Sequence, residues 1–185
     1  MSLPKEIGYT IEDIYNLPDG ERAELIDGQI YYMAPPSYKH QRIIGMLYQK
    51  IANYIDAKKG PCKVVLSPFA VFLNKDDKKN YVEPDISVIC DKSKLTTYGC
   101  VGAPDWIIEV VSPSSRQMDY LVKMVKYSNT GVREYWVVDP LKSRIISYNF
   151  ESNTMEEYSF SDSIKVGIYE DLTIDFAKVS ETLDF

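Results

Sequence analysis

The sequence is poor in the groups that enzymes use most often. Its 185 residues include a single histidine, His40, so a zinc centre built from histidine and cysteine lacks its ligands. The three cysteines, Cys62, Cys90 and Cys100, are odd in number and show no CxxC spacing. They read as reduced thiols of a cytoplasmic protein, two of them in the core. No long uncharged apolar run occurs, so neither a membrane-spanning helix nor a membrane partner is expected. The first residues carry Lys5 and Glu6 and no apolar segment of the kind a signal peptide needs. A glycine-rich GxxxxGK loop for nucleotide phosphates is missing. Basic charge is scarce as well. The net charge is −6 and the pI about 4.9, unlike a protein that coats nucleic acid by neutralising phosphates.

What is present suits one domain over residues 1–185, with 45% apolar residues and no repeat, low-complexity tract or linker. Thr10 followed by Glu12 and Asp13 reads as the capped start of a short helix through Leu17. Asp27-Gly28 between two β-rich runs is a hairpin signal. Ile43, Ile44, Leu47, Ile51 and Ile55 recur at three- and four-residue steps and predict a helix over about His40 to Lys58. Strands are expected at Lys63–Leu66, Ala70–Leu73, Asp85–Cys90, Trp106–Val111 and Glu134–Val138, then an antiparallel pair at Arg144–Asn149 and Met155–Phe160. Lys92 to Gly102 reads as a loop or short helical turn. Met118 to Asn129 reads as a helix stopped at Gly131. The order predicts an α/β (mixed α+β) fold, a central mixed sheet flanked by helices.

Within that pattern one acid is out of place. Glu109 lies inside Trp106-Ile107-Ile108-Glu109-Val110-Val111, where a buried charge costs several kcal/mol or more unless it is protonated, paired or bound to metal. Asp85 opens the neighbouring β-rich segment. Two acids on neighbouring strands can aim at one hard divalent cation, and with so little histidine and cysteine that cation would be Mg²⁺, Mn²⁺ or Ca²⁺. The alternative is that each acid caps a strand end or pairs with a buried arginine. An acidic metal cluster is compatible with a nucleic acid substrate, because bound ions restore positive potential where the phosphate would sit.

Further motifs stand in chain order around these acids: Glu24-Leu25-Ile26-Asp27-Gly28, His40-Gln41, Val82-Glu83-Pro84-Asp85, Ala103-Pro104-Asp105 through Ser114, Asp119…Lys123…Tyr127, and Gly131-Val132-Arg133-Glu134-Tyr135-Trp136-Val137-Val138-Asp139-Pro140. From about residue 10 to residue 150 or beyond, the chain resembles the PD-(D/E)xK nuclease superfamily, in the branch of Uma-type restriction endonucleases. The resemblance implies a restriction-endonuclease-like core, DNA as substrate and a Mg²⁺-dependent phosphodiesterase site, with Mn²⁺ as an alternative ion. Asp85 and Glu109 would be metal-binding acids, and Glu24 a further acidic ligand or water-holder. The superfamily motif expects lysine two residues after the second acid, where this chain has Val111. Lys123, on the following helix, is the candidate to supply that charge.

Other residues carry weaker signals. His40, at the start of the long helix, either approaches a phosphate and carries a proton or packs as a neutral imidazole. Tyr127 either hydrogen-bonds the site or fills the core. Asp119, Lys123 and Tyr127 share one helix face, which leaves Lys126 pointing to solvent. Ser112, Ser114 and Ser115 lack a histidine partner in sequence and read as a helix cap, and Asp139 as a strand-end turn. The 15 tyrosines suit a homodimer interface as well as a core. Three functions remain open: a metal-dependent DNA endonuclease, a non-catalytic DNA-binding or protein-interaction module on the same fold, and a hydrolase of a small phosphorylated substrate.

Overall fold

The computed structural model describes residues 8–113 and 115–181. The readings that involved Lys5, Glu6 and Ser114 lie outside them.

The first elements follow local chemistry. Helix α1 (Ile11–Tyr15) starts where the Thr10 backbone N–H and hydroxyl both donate to Asp13 Oδ2, at 2.7 and 3.0 Å. Strands β1 (Ala23–Ile26) and β2 (Gln29–Tyr32) pair antiparallel. Asp27 and Gly28 between them have φ of 50° and 78°, the two positive angles that a type I′ turn requires. Helix α2 (Tyr38–Lys58) begins two residues earlier than expected because Ser37 caps it, its hydroxyl accepting from His40 N at 3.2 Å.

The centre is a six-stranded sheet in the order β11-β10-β9-β8-β5-β3, made of β3 (Lys63–Leu66), β5 (Ile86–Ile89), β8 (Trp106–Val110), β9 (Glu134–Asp139), β10 (Arg144–Asn149) and β11 (Thr154–Ser159). Only the β8–β9 pair is parallel, so the sheet is mixed as expected. A parallel neighbour needs a crossover. Here it consists of a π-helical turn (Met118–Val122) running into α3 (Lys123–Thr130), which stops at Gly131 with φ 97°. Along β8, Trp106, Ile108 and Val110 face α2 and its Ile43, Leu47 and Ile51, whereas Ile107 and Val111 pack with Tyr127 of α3. That alternation makes Glu109 project toward the crossover.

Three expectations need correcting. Lys92 to Gly102 is not only a loop or helical turn. After a 3₁₀ turn at Lys92–Lys94 it forms the hairpin β6 (Leu95–Thr96) and β7 (Gly99–Val101), and β7 also pairs with β4 (Val71–Phe72). Strands of two and three residues are too short to show periodicity. Second, Cys62 and Cys90 are not reduced thiols but a disulfide. Because Lys63 pairs with Ile89 in the β3–β5 ladder, these cysteines fall directly opposite each other, and only that register reveals them as a pair. Cys100 is a free, buried thiol, which burial pushes up to about 11. Third, Lys126 does not point freely to solvent: its ammonium pairs with Asp27 at the tip of the β1–β2 hairpin. Beyond Phe160, where the sequence reading assigned no elements, β12 (Ser163–Lys165), β13 (Thr173–Asp175) and α4 (Phe176–Ser180) add Ile164, Ile174 and Phe176 to the α2 side of the core. No helix among the described residues is long and apolar enough to cross a membrane.

Candidate active site

Strand register brings the two central acids together. In the antiparallel β5–β8 ladder Ile86 pairs with Ile108, so one step outward Asp85 stands opposite Glu109. Directly opposed residues project from the same face with Cβ atoms about 4.5–5.5 Å apart. Each carboxylate also accepts from the other strand's backbone: Glu109 Oε2 from Asp85 N at 3.2 Å, and Asp85 Oδ2 from Val110 N at 2.8 Å. The pair is therefore held by the ladder itself as well as by side-chain packing.

The crossover supplies the cation. Lys123 Nζ donates to Glu24 Oε1 and Glu109 Oε1, both at 2.9 Å, and lies 2.8 Å from Glu24 Oε2 and 3.7 Å from Asp119 Oδ1. Glu24 comes from β1 of the hairpin, so one ammonium joins hairpin, sheet and crossover. The side chains of Lys123 and Glu109 are only 6% and 5% exposed, which rules out a solvated helix-face pair. Burial works against the charge of Lys123, but Glu109, Glu24 and Asp119 outweigh it and hold the lysine well above its ordinary range. Burial pushes Glu109 well above the carboxylate range against the pull of Lys123, with Asp85, Asp119 and Glu24 adding to the push. Asp119 is pushed up to about 6 by burial, opposed by Lys123 and a hydrogen bond from Ser115. One ammonium does not neutralise three carboxylates, so the cluster retains a proton or attracts another cation.

Neutral donors complete it. Tyr127 OH donates to Glu109 Oε1 at 3.0 Å, and burial followed by the charge of Glu109 keeps this phenol protonated. Ser115 Oγ donates to Asp119 Oδ2 at 2.5 Å, and Tyr135 OH to the Asp119 carbonyl at 2.8 Å, which pins the π-helical turn that aims Lys123. On the other side His40 Nε2 lies 3.2 Å from Asp85 Oδ2. Burial opposes protonation of this imidazole, but its hydrogen bond to Asp85 and that residue's charge dominate and raise it above the usual histidine value. His40 Nδ1 is buried without a hydrogen-bond partner among the described residues. All of these acids, with His40 and Lys123, line one cavity of about 840 Å³.

The chain also matches a family of known proteins. The Uma2 family, described as "Putative restriction endonuclease", matches residues 11–176. The chain belongs to it. An uncharacterised protein of Synechocystis sp. is 30% identical over 130 residues, 70% of this chain and 66% of that protein, so the match leaves about a third of the relative's length uncovered. Among solved structures, a "putative nuclease belonging to DUF820" from Anabaena variabilis superposes with a TM-score of 0.76 at 20% identity, over 94% of this chain and 98% of the other. The mixed sheet with its flanking helices is thus the fold of that structure, and this Uma2 member carries its charged cluster on it.

Seen in this Uma2 chain, the five residues singled out from sequence, Glu24, His40, Asp85, Glu109 and Lys123, all reach the same cavity. They do not all meet at one point. Among the described residues no three acids, histidines or cysteines are disposed around a single metal position. Asp85 and Glu109 offer two adjoining sets of hard oxygen donors. Glu24 turns both its oxygens to Lys123 and also accepts from Glu83 N at 2.9 Å, so the trio of ligands expected from the resemblance does not close here. Val111, at the motif's usual lysine position, is 2% exposed in the apolar cluster with Tyr127. Asp119 was legible only as a helix-face neighbour of Lys123, and its place in the charged cluster was missed. So was Arg22, which pairs with Glu83 on the cavity wall and donates to Ser67 Oγ at 2.9 Å.

Proposed function

We propose that this protein is a metal-dependent DNA endonuclease, with Asp85 and Glu109 holding one Mg²⁺ and Mn²⁺ able to replace it. The reading rests on the opposed Asp85–Glu109 pair beside the buried ammonium of Lys123 at the floor of one cavity. The donor set fits a hard cation. Mg²⁺ keeps several waters and needs only one or two protein carboxylates, and the excess negative charge around Glu109 favours a cation. Bound there, Mg²⁺ would polarise a phosphoryl oxygen and lower the pKa of a water.

The chain's own groups would do the rest. Lys123 would lie beside the charge that builds on the phosphoryl group, already oriented by Glu24 and Asp119 so that little reorganisation is needed. Tyr127 would hold Glu109 in place. His40, bonded through Nε2 to Asp85, would hold that carboxylate in place, and would exchange a proton with the attacking or leaving oxygen only by releasing it. Glu24 would serve Lys123 rather than the metal.

The test is cleavage of plasmid and oligonucleotide DNA with Mg²⁺ and Mn²⁺ by the wild-type protein, Asp85→Asn and Lys123→Ala. Metal-dependent cutting that both substitutions remove is the expected result. A second reading, a non-catalytic binding module, draws on the ion pairs with Glu24, Glu109 and Asp119 that already occupy the Lys123 ammonium. Undiminished DNA binding by a wild-type protein that never cuts would favour it.

A further inference from the structure

The rim of the cavity differs in chemistry from its floor, and we propose that this difference selects single-stranded DNA over a duplex. The inference rests on the nuclease reading of the floor and names its substrate more closely.

The floor is recessed. Lys123 and Glu109 are almost wholly covered, and even Asp85 exposes only 15% of its side chain. A scissile phosphodiester has to descend past the walls to reach them. The exposed part of those walls is mostly apolar: Tyr32 on β2 (66% exposed), Pro35 and Pro36 after it, and Leu141 (61% exposed), with Ser37, Lys39 and Gln41 as its polar members. The cations on the lining besides Lys123 are Arg22, already paired with Glu83, and Lys39. At about 840 Å³ the cavity falls within the roughly 300–1,000 Å³ of sites that enclose small molecules, so a short stretch of strand enters and the remainder stays outside.

A duplex meets such a surface badly. It presents phosphates outward and keeps its bases stacked inside, and its binding depends on lysines and arginines that neutralise those phosphates. This rim offers few of them, on a chain of net charge −6. An unpaired strand has the complementary chemistry. Its flexible backbone lowers one phosphodiester to the floor, and its exposed base faces cover Tyr32, the prolines and Leu141, where aromatic stacking is tolerant of sequence. Unlike Lys123 or Glu109, Tyr32 would touch the substrate away from the reacting atoms, acting on affinity and leaving the chemistry alone.

The experiment compares three substrates with Mg²⁺ or Mn²⁺: a labelled single-stranded oligonucleotide, the same sequence as a blunt duplex, and bis(p-nitrophenyl) phosphate, which is too small to span floor and rim. The strand should be cut faster than the duplex. Tyr32→Ala should raise KM for the strand by at least about fivefold, the lower end of a lost base–aromatic stack, and leave kcat and the small diester unaffected. Tyr32→Phe should restore the wild-type KM. Equal or faster cutting of the duplex overturns the inference, as does an unchanged strand KM in Tyr32→Ala. Failure of the nuclease reading looks different: neither the small diester nor any DNA is hydrolysed. Fluorescence anisotropy then decides. Tighter binding of strand than duplex, weakened by Tyr32→Ala, upholds the preference, and equal binding overturns it.

Discussion

Two buried glutamates sit on neighbouring strands of one sheet and face opposite ways. Glu134, on the α2 side, accepts from Trp136 Nε1 at 2.6 Å and from Ile168 N at 2.8 Å. Its donors are neutral. Glu109, on the crossover side, accepts from an ammonium and a phenol and lies beside Asp85 and Asp119. Burial raises both carboxyls, so burial does not tell them apart. The neighbours do. Glu134 stitches the segment around Gly167 and Ile168 to the sheet, and a Cβ added at Gly167 would come 3.1 Å from Glu134 Oε2 and 2.4 Å from Asn149 Nδ2. Glu134 does not line the large cavity, whereas Glu109 belongs to an excess of acid at its floor. An acid inside a sheet is thus a sign of function when it is crowded with other charges and reachable, and a sign of architecture when neutral donors satisfy it.

The contrast can be tested by removing each pocket's partner. Lys123→Ala strands buried acids and should lose about 3–5 kcal/mol in urea unfolding at pH 8. The loss should shrink toward pH 5, where Glu109 and Asp119 can take protons. A loss that is the same at both pH values would show the lysine to matter only as packing. Glu134→Gln puts an amide N–H₂ among donors and should cost about 1–3 kcal/mol with DNA cleavage retained. Asp85→Asn should do the reverse, with cleavage abolished and the metal-free melting temperature unchanged or higher, since a like charge beside Glu109 is gone.

A subtler difference lies in pH. Asp119, at about 6 in the folded chain, sits above its ordinary carboxylate value of 3.8. A group raised by folding binds its proton more tightly in the native state. Its contribution is therefore complete below the ordinary value and disappears as pH rises through about 6. Metal-free stability should decline across that window, and Asp119→Asn should flatten the decline in a series of melts. The smallest effect belongs to Lys126→Ala. Its ion pair with the largely exposed Asp27 should contribute at most about 1 kcal/mol, and turnover should barely change.

How much of this was readable beforehand depended on the range of the interaction. The Asp27-Gly28 turn and the apolar stripe of α2 are local patterns, and both elements formed as expected apart from the two residues that the Ser37 cap adds to α2. Asp85 and Glu109 stood out by type, but their direct opposition depends on the β5–β8 register, which no spacing in the chain encodes. The same holds for Cys62 and Cys90 across β3 and β5. Lys123 was reached only because Val111 fills the usual lysine position and the resemblance pointed to the following helix. Asp119 escaped notice as a site residue because i,i+4 acid–lysine pairs are ordinary on exposed helices, and nothing local announces that this helix face is buried. At α4 the local signal is a cap alone, Asp175 accepting from Ala177 N at 3.1 Å, and five residues are too few to show a helical apolar stripe.

Placing the lysine on the crossover has a consequence for how the chain folds. Lys123 is 14 residues from Glu109 but 99 from Glu24, so hairpin, sheet and crossover must all dock before the three charges meet. A crossover packed one turn out of step would bury Glu109 without its ammonium, at a cost of about 3–5 kcal/mol while the acid stays charged. Misassembled chains would then be disfavoured against the unfolded ensemble. The charged floor would act as a proofreading step, favouring molecules whose site is already built.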